Sequence, residues 1–158
     1  VNLSFVGDEG DVFGNVLAVL CGLADESMAH SIVRTIVAAD AALPWPVRVT
    51  LHAMGPGHDL WRAYMGRHRQ NIMHQYHNGG LWPFVGGFWA MALAELGMKD
   101  EAQAALERRA EANGQGGWRF TEWFHGKTLA PMGMAGQSWN AATFLLAQRM
   151  LEGRGCGW

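Results

Sequence analysis

Residues 75–84 read Gln75-Tyr76-His77-Asn78-Gly79-Gly80-Leu81-Trp82-Pro83-Phe84. They run directly into an apolar segment, 85–94, that contains no charged residue. Proline is favoured at the first position of a helix, so Pro83 indicates a helix start. The helix is predicted over 84–96, and Gly97 suits its C-terminal end. A polar and aromatic loop therefore leads into the start of an apolar helix.

A second stretch of the same kind lies nearer the C-terminus and reads Trp118-Arg119-Phe120-Thr121-Glu122-Trp123-Phe124-His125-Gly126-Lys127. It also precedes a helical pattern, which is predicted over 137–151. Because each of the two loops precedes a helix, the sequence predicts one site at the N-terminal ends of these helices. Their aromatic faces, amides, imidazole and carboxylate can stack on a sugar and hydrogen-bond its hydroxyls. The predicted ligand is therefore a carbohydrate.

The rest of the chain has the apolar spacing of further helices. Asp25 and Asp100 suit helix N-caps, and Pro44 ends the second helix. The segment 59–69 has room for a short helix, and 47–51 for a short extended piece. The predicted helices are 15–24, 28–42, 84–96, 101–112 and 137–151.

Short turns join the predicted helices in pairs at one end, and two long loops, 43–82 and 114–136, lie at the other. Loops longer than about 15 residues in a compact domain are usually functional. The sequence therefore predicts one all-α domain with its chemistry in the long loops.

Composition excludes several function classes. The chain has 158 residues and 49% hydrophobic residues, which suits a folded domain with a core. A net charge of −2 without a basic run argues against nucleic acid as a partner. No apolar run is long enough to cross a membrane. Cys21 and Cys156 are too few for a disulfide framework, and no signal-peptide pattern is visible, so a cytoplasmic location is predicted.

Glu122 is the strongest candidate for a catalytic group. It lies in the sequence among four aromatic residues, and apolar surroundings raise the pKa of a carboxyl group, as acid–base catalysis requires. The alternative is a loop carboxylate that pairs with Arg119 or Lys127. Both interpretations stay open at the level of the sequence.

The candidate sugar-binding residues each have a structural alternative. His77 and Asn78 offer donors and acceptors beside two glycines, but an Asn-Gly turn with a histidine near a helix start has the same sequence. The tryptophans are either stacking platforms or core residues. The candidate set is Tyr76, His77, Asn78, Gly79, Trp82, Trp123, Gln137 and Trp139.

A metal site is the rival interpretation of the same motifs. His74 and His77 form a His-x-x-His, and Glu122 and His125 a Glu-x-x-His. Di-iron bundles use the Glu-x-x-His pattern twice, on helices, whereas here it occurs once in a predicted loop. Neither a metal nor another cofactor is therefore predicted. Ser138 lacks the Gly-x-Ser-x-Gly context of a serine nucleophile.

Three motifs together resemble those of amylo-α-1,6-glucosidase-like and alkaline/neutral-invertase-like glycoside hydrolases. The resemblance rests on 76–84, on 121–127 and on Gly136-Gln137-Ser138-Trp139-Asn140-Ala141-Ala142, in that order and spacing. The helix start from Phe13 to Leu20 resembles an upstream segment of the same group. The resemblance covers residues 11 to 152.

The resemblance implies an (α/α)₆ barrel of the six-hairpin glycosidase type, with the pocket at one end of its inner helices. It implies an inverting hydrolysis of α-glucosides, glycogen branches or sucrose by two carboxyl groups. Glu122 matches the carboxylate that activates water, His77 and Asn78 match the pocket loop, and Gln137 matches the start of the last inner helix.

The group carries its general acid in an upstream Arg-Asp motif that has no counterpart in this sequence. We therefore expect residues 1–158 to be the C-terminal part of one such domain, inactive alone and self-associating through an exposed apolar flank. The alternative from a different class is a carbohydrate-binding or structural helical module without catalysis. A second carboxylate facing Glu122 would distinguish the enzyme from the module.

Overall fold

The computed structural model describes residues 10–67, 69 and 71–154. Within this part the chain forms six helices and one small antiparallel pair of strands. The elements are α1 (Val12–Leu20), α2 (Glu26–Ala38), α3 (Ala63–Arg67), α4 (Pro83–Glu95), α5 (Lys99–Trp118), β1 (Trp123–Phe124), β2 (Pro131–Met132) and α6 (Ser138–Leu151). The predicted class, helical with very little strand, is confirmed for these residues.

Several helix ends follow the signals in the sequence. The side chain of Asp25 caps α2 by accepting the N–H of Met28 at 2.8 Å. Pro83 is the first residue of α4. Beyond α4, Gly97 has a φ of 74°, a backbone conformation that glycine adopts without strain.

Other predicted boundaries are wrong. α1 begins at Val12 rather than at residue 15, because the Asp11 carboxylate accepts the N–H of Gly14 and caps it. α2 ends at Ala38, four residues before the predicted 42. Asp100 caps nothing, since α5 begins at Lys99.

α5 extends beyond the predicted end at residue 112, but its last residues are separated from the regular helix by a kink. Gln115 has an extended backbone, and Gly116 and Gly117 have φ values of 66° and 81°. The regular part of α5 therefore ends where Asn113 and Gly114 predict its end.

α4 is the centre of the fold. Nine of its thirteen residues are buried, because α1, α5 and α6 all pack against it. Gly87 lies so close to α6 that a Cβ there would be 2.6 Å from the Cβ of Thr143. A helix covered on several sides must be apolar all round, which explains the uncharged sequence of 85–94.

Aromatic contacts show that α1, α4 and α6 begin at the same end. Phe13 in the first turn of α1 contacts Phe84 in the first turn of α4, with ring centroids 5.6 Å apart. Phe84 in turn lies 6.1 Å from the ring of Trp139, in the first turn of α6. The three helices therefore run parallel, as predicted.

The other two long helices run in the opposite direction. Arg109, in the second half of α5, donates hydrogen bonds to the backbone oxygens of Pro83 and Asn140, at the starts of α4 and α6. Ala39, directly after α2, accepts a hydrogen bond from Arg48, whose neighbour Val49 accepts the N–H of Val12 at 3.0 Å. The end of α2 thus lies near the start of α1.

None of the helices in the described part of the chain combines the length and the apolar character needed to cross a bilayer.

Candidate functional site

The two motif loops are joined by their backbones at the end where α1, α4 and α6 begin. Leu81 and Phe124 exchange two hydrogen bonds of 2.9 and 2.8 Å. The N–H of Gly126 donates to the oxygen of His74 at 2.8 Å. A Cβ on Gly126 would overlap the carbonyl oxygen of Gly79, so only glycine permits this approach. The two loops therefore form one unit.

His77 stacks on Trp82 at the surface of this unit. The ring centroids are 5.2 Å apart and the planes differ by 8°. Trp82 is 7% exposed, and its Nε1–H donates to the oxygen of Tyr76 at 3.1 Å, which fixes the indole beneath the imidazole. His77 itself is exposed.

Although the residue as a whole is exposed, contact of its ring with Trp82 and Tyr76 partly removes it from water and lowers the pKa of His77, and the nearby Glu122 carboxylate opposes this shift. The imidazole is therefore neutral at pH 7 and can donate from one nitrogen and accept at the other. That pair of functions suits a sugar hydroxyl. The same interaction places the Glu122 carboxylate within electrostatic reach of His77.

A cavity of about 320 Å³ opens beside the stack. This volume is at the lower end of small-molecule sites and suits a ligand of monosaccharide size. Its lining combines apolar and aromatic groups with two titratable ones, and consists of Asp11, Phe13, Val49, His77, Trp82, Phe84 and Val85.

Glu122 is half-buried and held at one carboxylate oxygen only. Its Oε2 accepts the N–H of Met134 at 2.9 Å, and its own N–H donates to the Met134 oxygen at 2.8 Å. Gly133 packs against both this oxygen and the indole of Trp123, where a side chain would not fit. Within the described residues Oε1 receives no hydrogen bond, so one oxygen is fixed and the other is available to a ligand or water.

The aromatic surroundings of Glu122 differ from the expectation. Trp118 is 63% exposed and contacts Phe120, so it does not bury the carboxylate. Phe124 is fully buried in a small second cluster with Leu81 and Ala112. The sequence prediction placed all four aromatic side chains around the carboxylate, whereas in the structure Trp118 is exposed and Phe124 belongs to a separate buried cluster.

Asn78 belongs to the internal support of the loop. It is 2% exposed, and its side-chain oxygen accepts the N–H of Met54 at 2.7 Å. Its side-chain nitrogen donates to the oxygens of Met54 and Asn71 at 2.7 and 2.9 Å. Both amide donors are thus in use, so Asn78 shapes the loop and offers no donor to a sugar.

Tyr76 and Gly79 also act through loop shape. The half-buried Tyr76 ring packs between Trp82 and Trp123, at centroid distances of 5.2 and 5.9 Å. Gly79 has a φ of 85°, and a Cβ there would lie 2.8 Å from the Cβ of Ala53. Gly79 has no side chain, and the Tyr76 ring supports the two tryptophans.

The three remaining candidates lie at the same end but differ in exposure. Trp123 is buried under Tyr76. Trp139 is 42% exposed beside Phe84 and presents part of its ring to solvent. Gln137 precedes α6, and its side chain makes no capping hydrogen bond. Trp139 and Gln137 thus keep side-chain surface accessible at this end, and Trp123 supports the loop.

The histidines of the rival metal motif point to different neighbours. His77 stacks on Trp82, whereas His74 lies beside His125, with ring centroids 6.0 Å apart. Among the described residues, no group of three or more His, Cys, Asp or Glu side chains could hold a metal ion.

The sequence prediction missed two residues near the site. Asp11 caps α1 and also lines the cavity. The sequence indicates only the cap, because aspartate is a common N-cap residue. Arg109 is fully buried and ties the starts of α4 and α6 together, with a 2.6 Å hydrogen bond to Thr143 Oγ1. Burial lowers its pKa to about 9, so the charge is held at a cost in free energy. On the sequence, Arg109 is simply one charge on a polar helix.

Comparison with known proteins shows which family the sequence matches. Residues 11–153 match the family model of alkaline and neutral invertase. The chain is 26% identical over 142 residues to neutral/alkaline invertase 1, mitochondrial, of Oryza sativa subsp. japonica, covering 88% of the chain and 22% of that protein. It is 28% identical over 148 residues to alkaline/neutral invertase E, chloroplastic, of Arabidopsis thaliana, covering 87% and 22%.

A third relative, cytosolic invertase 1 of Oryza sativa subsp. japonica, is 28% identical over 144 residues, covering 88% of the chain and 25% of the relative. The chain thus spans about a quarter of the length of these curated relatives. The matched region contains all three motifs and every helix of the structure. The invertase part of the sequence resemblance is therefore confirmed, and the chain belongs to the alkaline and neutral invertase family.

Proposed function

We propose that this chain forms part of the catalytic domain of a glycoside hydrolase that hydrolyses sucrose. One observation carries the proposal: the loop that holds Glu122, which has one free carboxylate oxygen, packs through Trp123 and Tyr76 against the His77–Trp82 stack, and this stack lines a sugar-sized cavity. The relatives are named invertases, which supports sucrose as the substrate.

In the proposed mechanism Glu122 Oε1 takes a proton from water as the water attacks the anomeric carbon. A second carboxyl group, supplied from outside the motifs of this chain, protonates the leaving oxygen. Inversion requires about 6.5–9.5 Å between the two carboxyls, which leaves room for the water. His77, as a neutral imidazole, and the exposed part of Trp139 hold the sugar, while Asn78, Tyr76 and Gly79 keep the loop in shape.

The helix arrangement supports a barrel as the larger architecture. α1, α4 and α6 form a parallel row, and α2 and α5 run antiparallel to it. We infer that these are inner and outer helices of an (α/α)₆ barrel of which residues 1–158 form one part. A cytoplasmic location belongs to the same proposal; Cys21 is an exposed free thiol, as a reducing compartment permits.

The test is the stereochemistry and substrate choice of the whole catalytic domain. We expect sucrose to be hydrolysed with β-glucose as the first-formed anomer, observed by proton NMR before mutarotation. Initial formation of α-glucose would contradict attack with inversion at the anomeric carbon of the glucosyl unit. Faster hydrolysis of an α-1,6-linked glucosyl oligosaccharide would favour the debranching activity. Sugar binding without hydrolysis would favour the non-catalytic module.

A further inference from the structure

A group of basic side chains surrounds Gly126, where the two motif loops join. His74 and His125 lie with their ring centroids 6.0 Å apart, and the N–H of Gly126 donates to the His74 oxygen. A Cβ on Gly126 would be 3.6 Å from the Cδ of Arg48, so the arginine side chain also lies beside Gly126. Lys127 is the next residue along the chain. We call Arg48, His74, His125 and Lys127 the basic cluster.

Hydrogen bonds fix two members of the basic cluster in orientation. His125 Nδ1 accepts the N–H groups of Lys127 and Thr128, both at 3.2 Å. The proton of the neutral ring is therefore on Nε2, which remains a donor. Arg48 donates from one terminal nitrogen to the oxygen of Ala39, and its buried Nε has no acceptor among the described residues. The cluster is thus rich in donors and poor in acceptors.

The charges around His74 have one sign. Burial lowers the pKa of His74, and His125, Lys127 and Arg48 lower it further. No carboxylate of the described residues contributes to this shift. Two neighbouring imidazoles could in principle hold a metal cation, but the flanking Lys127 and Arg48 charges repel one. An anion of high charge density would instead compensate the Lys127 and Arg48 charges and accept hydrogen bonds from the two imidazoles.

This electrostatic environment is separate from that of the sugar site. The charge that acts on His77 is the Glu122 carboxylate, whereas those that act on His74 are the cations of the basic cluster. The two histidines are only three residues apart, but their side chains have different charged neighbours.

We propose that the basic cluster binds a phosphate-type oxyanion at the junction of the two motif loops, outside the sugar cavity. The anion accepts hydrogen bonds from His125 Nε2, the His74 ring, Lys127 Nζ and the Arg48 guanidinium. By bridging Arg48, the loop before α4 and the loop after β1, it stabilises the junction on which the sugar site is built. The binding itself does not depend on which sugar the protein hydrolyses.

The direct test is an NMR titration of histidine ring signals in the folded chain with inorganic phosphate, at pH 7 and with sodium chloride holding the ionic strength constant. We expect saturable shifts of His74 and His125 and none of His30, which lies on α2. Lys127→Met and His125→Gln should each weaken phosphate binding about tenfold, since each removes a donor to a charged acceptor. His30→Gln is the matched control and should leave the affinity unchanged.

A second arm uses glucose 6-phosphate to distinguish the two sources of this chemistry. Affinity equal to that of inorganic phosphate means that the free anion is sufficient, and tighter binding that survives a saturating excess of sucrose identifies a phosphorylated sugar. The proposal is overturned if phosphate gives no saturable shift, or if Lys127→Met, whose side chain is exposed, binds phosphate as tightly as the unchanged chain. Zn²⁺ binding by the two histidines in preference to phosphate also overturns it.

Discussion

His77 reaches the sugar cavity as a neutral imidazole with a fixed orientation. Its ring stacks on the indole of Trp82, which is itself hydrogen-bonded to Tyr76. In the proposed function, this residue holds the sugar in the ground state and in the transition state alike. Its replacement therefore affects binding and rate together.

We predict that His77→Ala raises the dissociation constant for the sugar and lowers kcat/KM by similar factors of about tenfold, the value of one lost hydrogen bond with its stacking. Steady-state kinetics of the whole catalytic domain and titration of sugar binding measure the two effects. His30→Ala on α2 is the control. A fall in kcat with unchanged binding would instead give His77 a role in the chemical step.

Asn78 is predicted to matter for stability and not for direct recognition. Its amide makes three hydrogen bonds to the backbone of Met54 and Asn71. Asn78→Ala leaves those groups without partners and should lower the free energy of unfolding by about 2–4 kcal/mol. Urea denaturation measures this loss, with the exposed Gln103→Ala on α5 as control. Full stability combined with lost sugar binding would restore Asn78 as a ligand-binding residue.

At the scale of elements, the close approach of α4 to α6 depends on Gly87. A methyl group there would meet the Cβ, Oγ1 and backbone oxygen of Thr143 at 2.6, 2.7 and 2.8 Å. We predict that Gly87→Ala destabilises the fold by about 1–3 kcal/mol through overpacking, even though alanine favours helix by about 1 kcal/mol.

Gly114→Ala is the matched control, because it lies in the regular part of α5 and its nearest contact is 3.8 Å away. It should be neutral or stabilising. Equal thermal denaturation midpoints for Gly87→Ala and Gly114→Ala would contradict the close packing of α4 on α6.

Local signals correctly predicted several helix ends that are set by nearby residues. Asp25, Pro83 and Gly97 act within one turn of their helix, so the sequence was sufficient. Asp100, like Asp25, is an aspartate just before a helical pattern, but α5 starts one residue earlier, directly after the short turn from α4. The residue type alone did not distinguish the two aspartates.

The sequence predicted that the two loops meet, but it did not predict which of their side chains are occupied within the protein. The composition of the two loops indicated that His77, Glu122 and Gln137 would meet at one end of the helices. It could not show that the Asn78 amide is occupied, because its partners Met54 and Asn71 lie in an irregular loop. Nor could it show that Arg109 is buried, since that follows from the packing of three helices.

At the scale of the whole molecule, the row of α1, α4 and α6 has two ends. Apolar side chains are exposed on α6 of this row and on the neighbouring α2, among them Leu145 of α6 at 57% and Val37 of α2 at 55%. A barrel would place further helices beside such a row. Large exposed apolar patches are unusual on soluble monomers, which favours association of the chain with itself.

We predict that residues 1–158 self-associate in a concentration-dependent way, observed by analytical ultracentrifugation. Leu145→Lys should weaken the association, and Gln148→Lys, on the same helix, should change it less. A monodisperse monomer that unfolds cooperatively would show that the chain closes its own core.

The central claim is that Glu122 is the general base of an invertase-type site. Glu122→Gln keeps an oxygen that can accept the Met134 N–H, so the loop should hold its shape, but the side chain no longer takes a proton from water. The exposed Glu111→Gln on α5 is the matched control.

The decisive measurement is kcat for sucrose hydrolysis by the whole catalytic domain carrying Glu122→Gln, with sugar binding titrated alongside. General-base catalysis contributes about 10²–10⁴-fold, so kcat should fall by at least that order while the binding constant changes little. Turnover close to that of the unchanged protein would show that Glu122 is a structural carboxylate and would contradict the account.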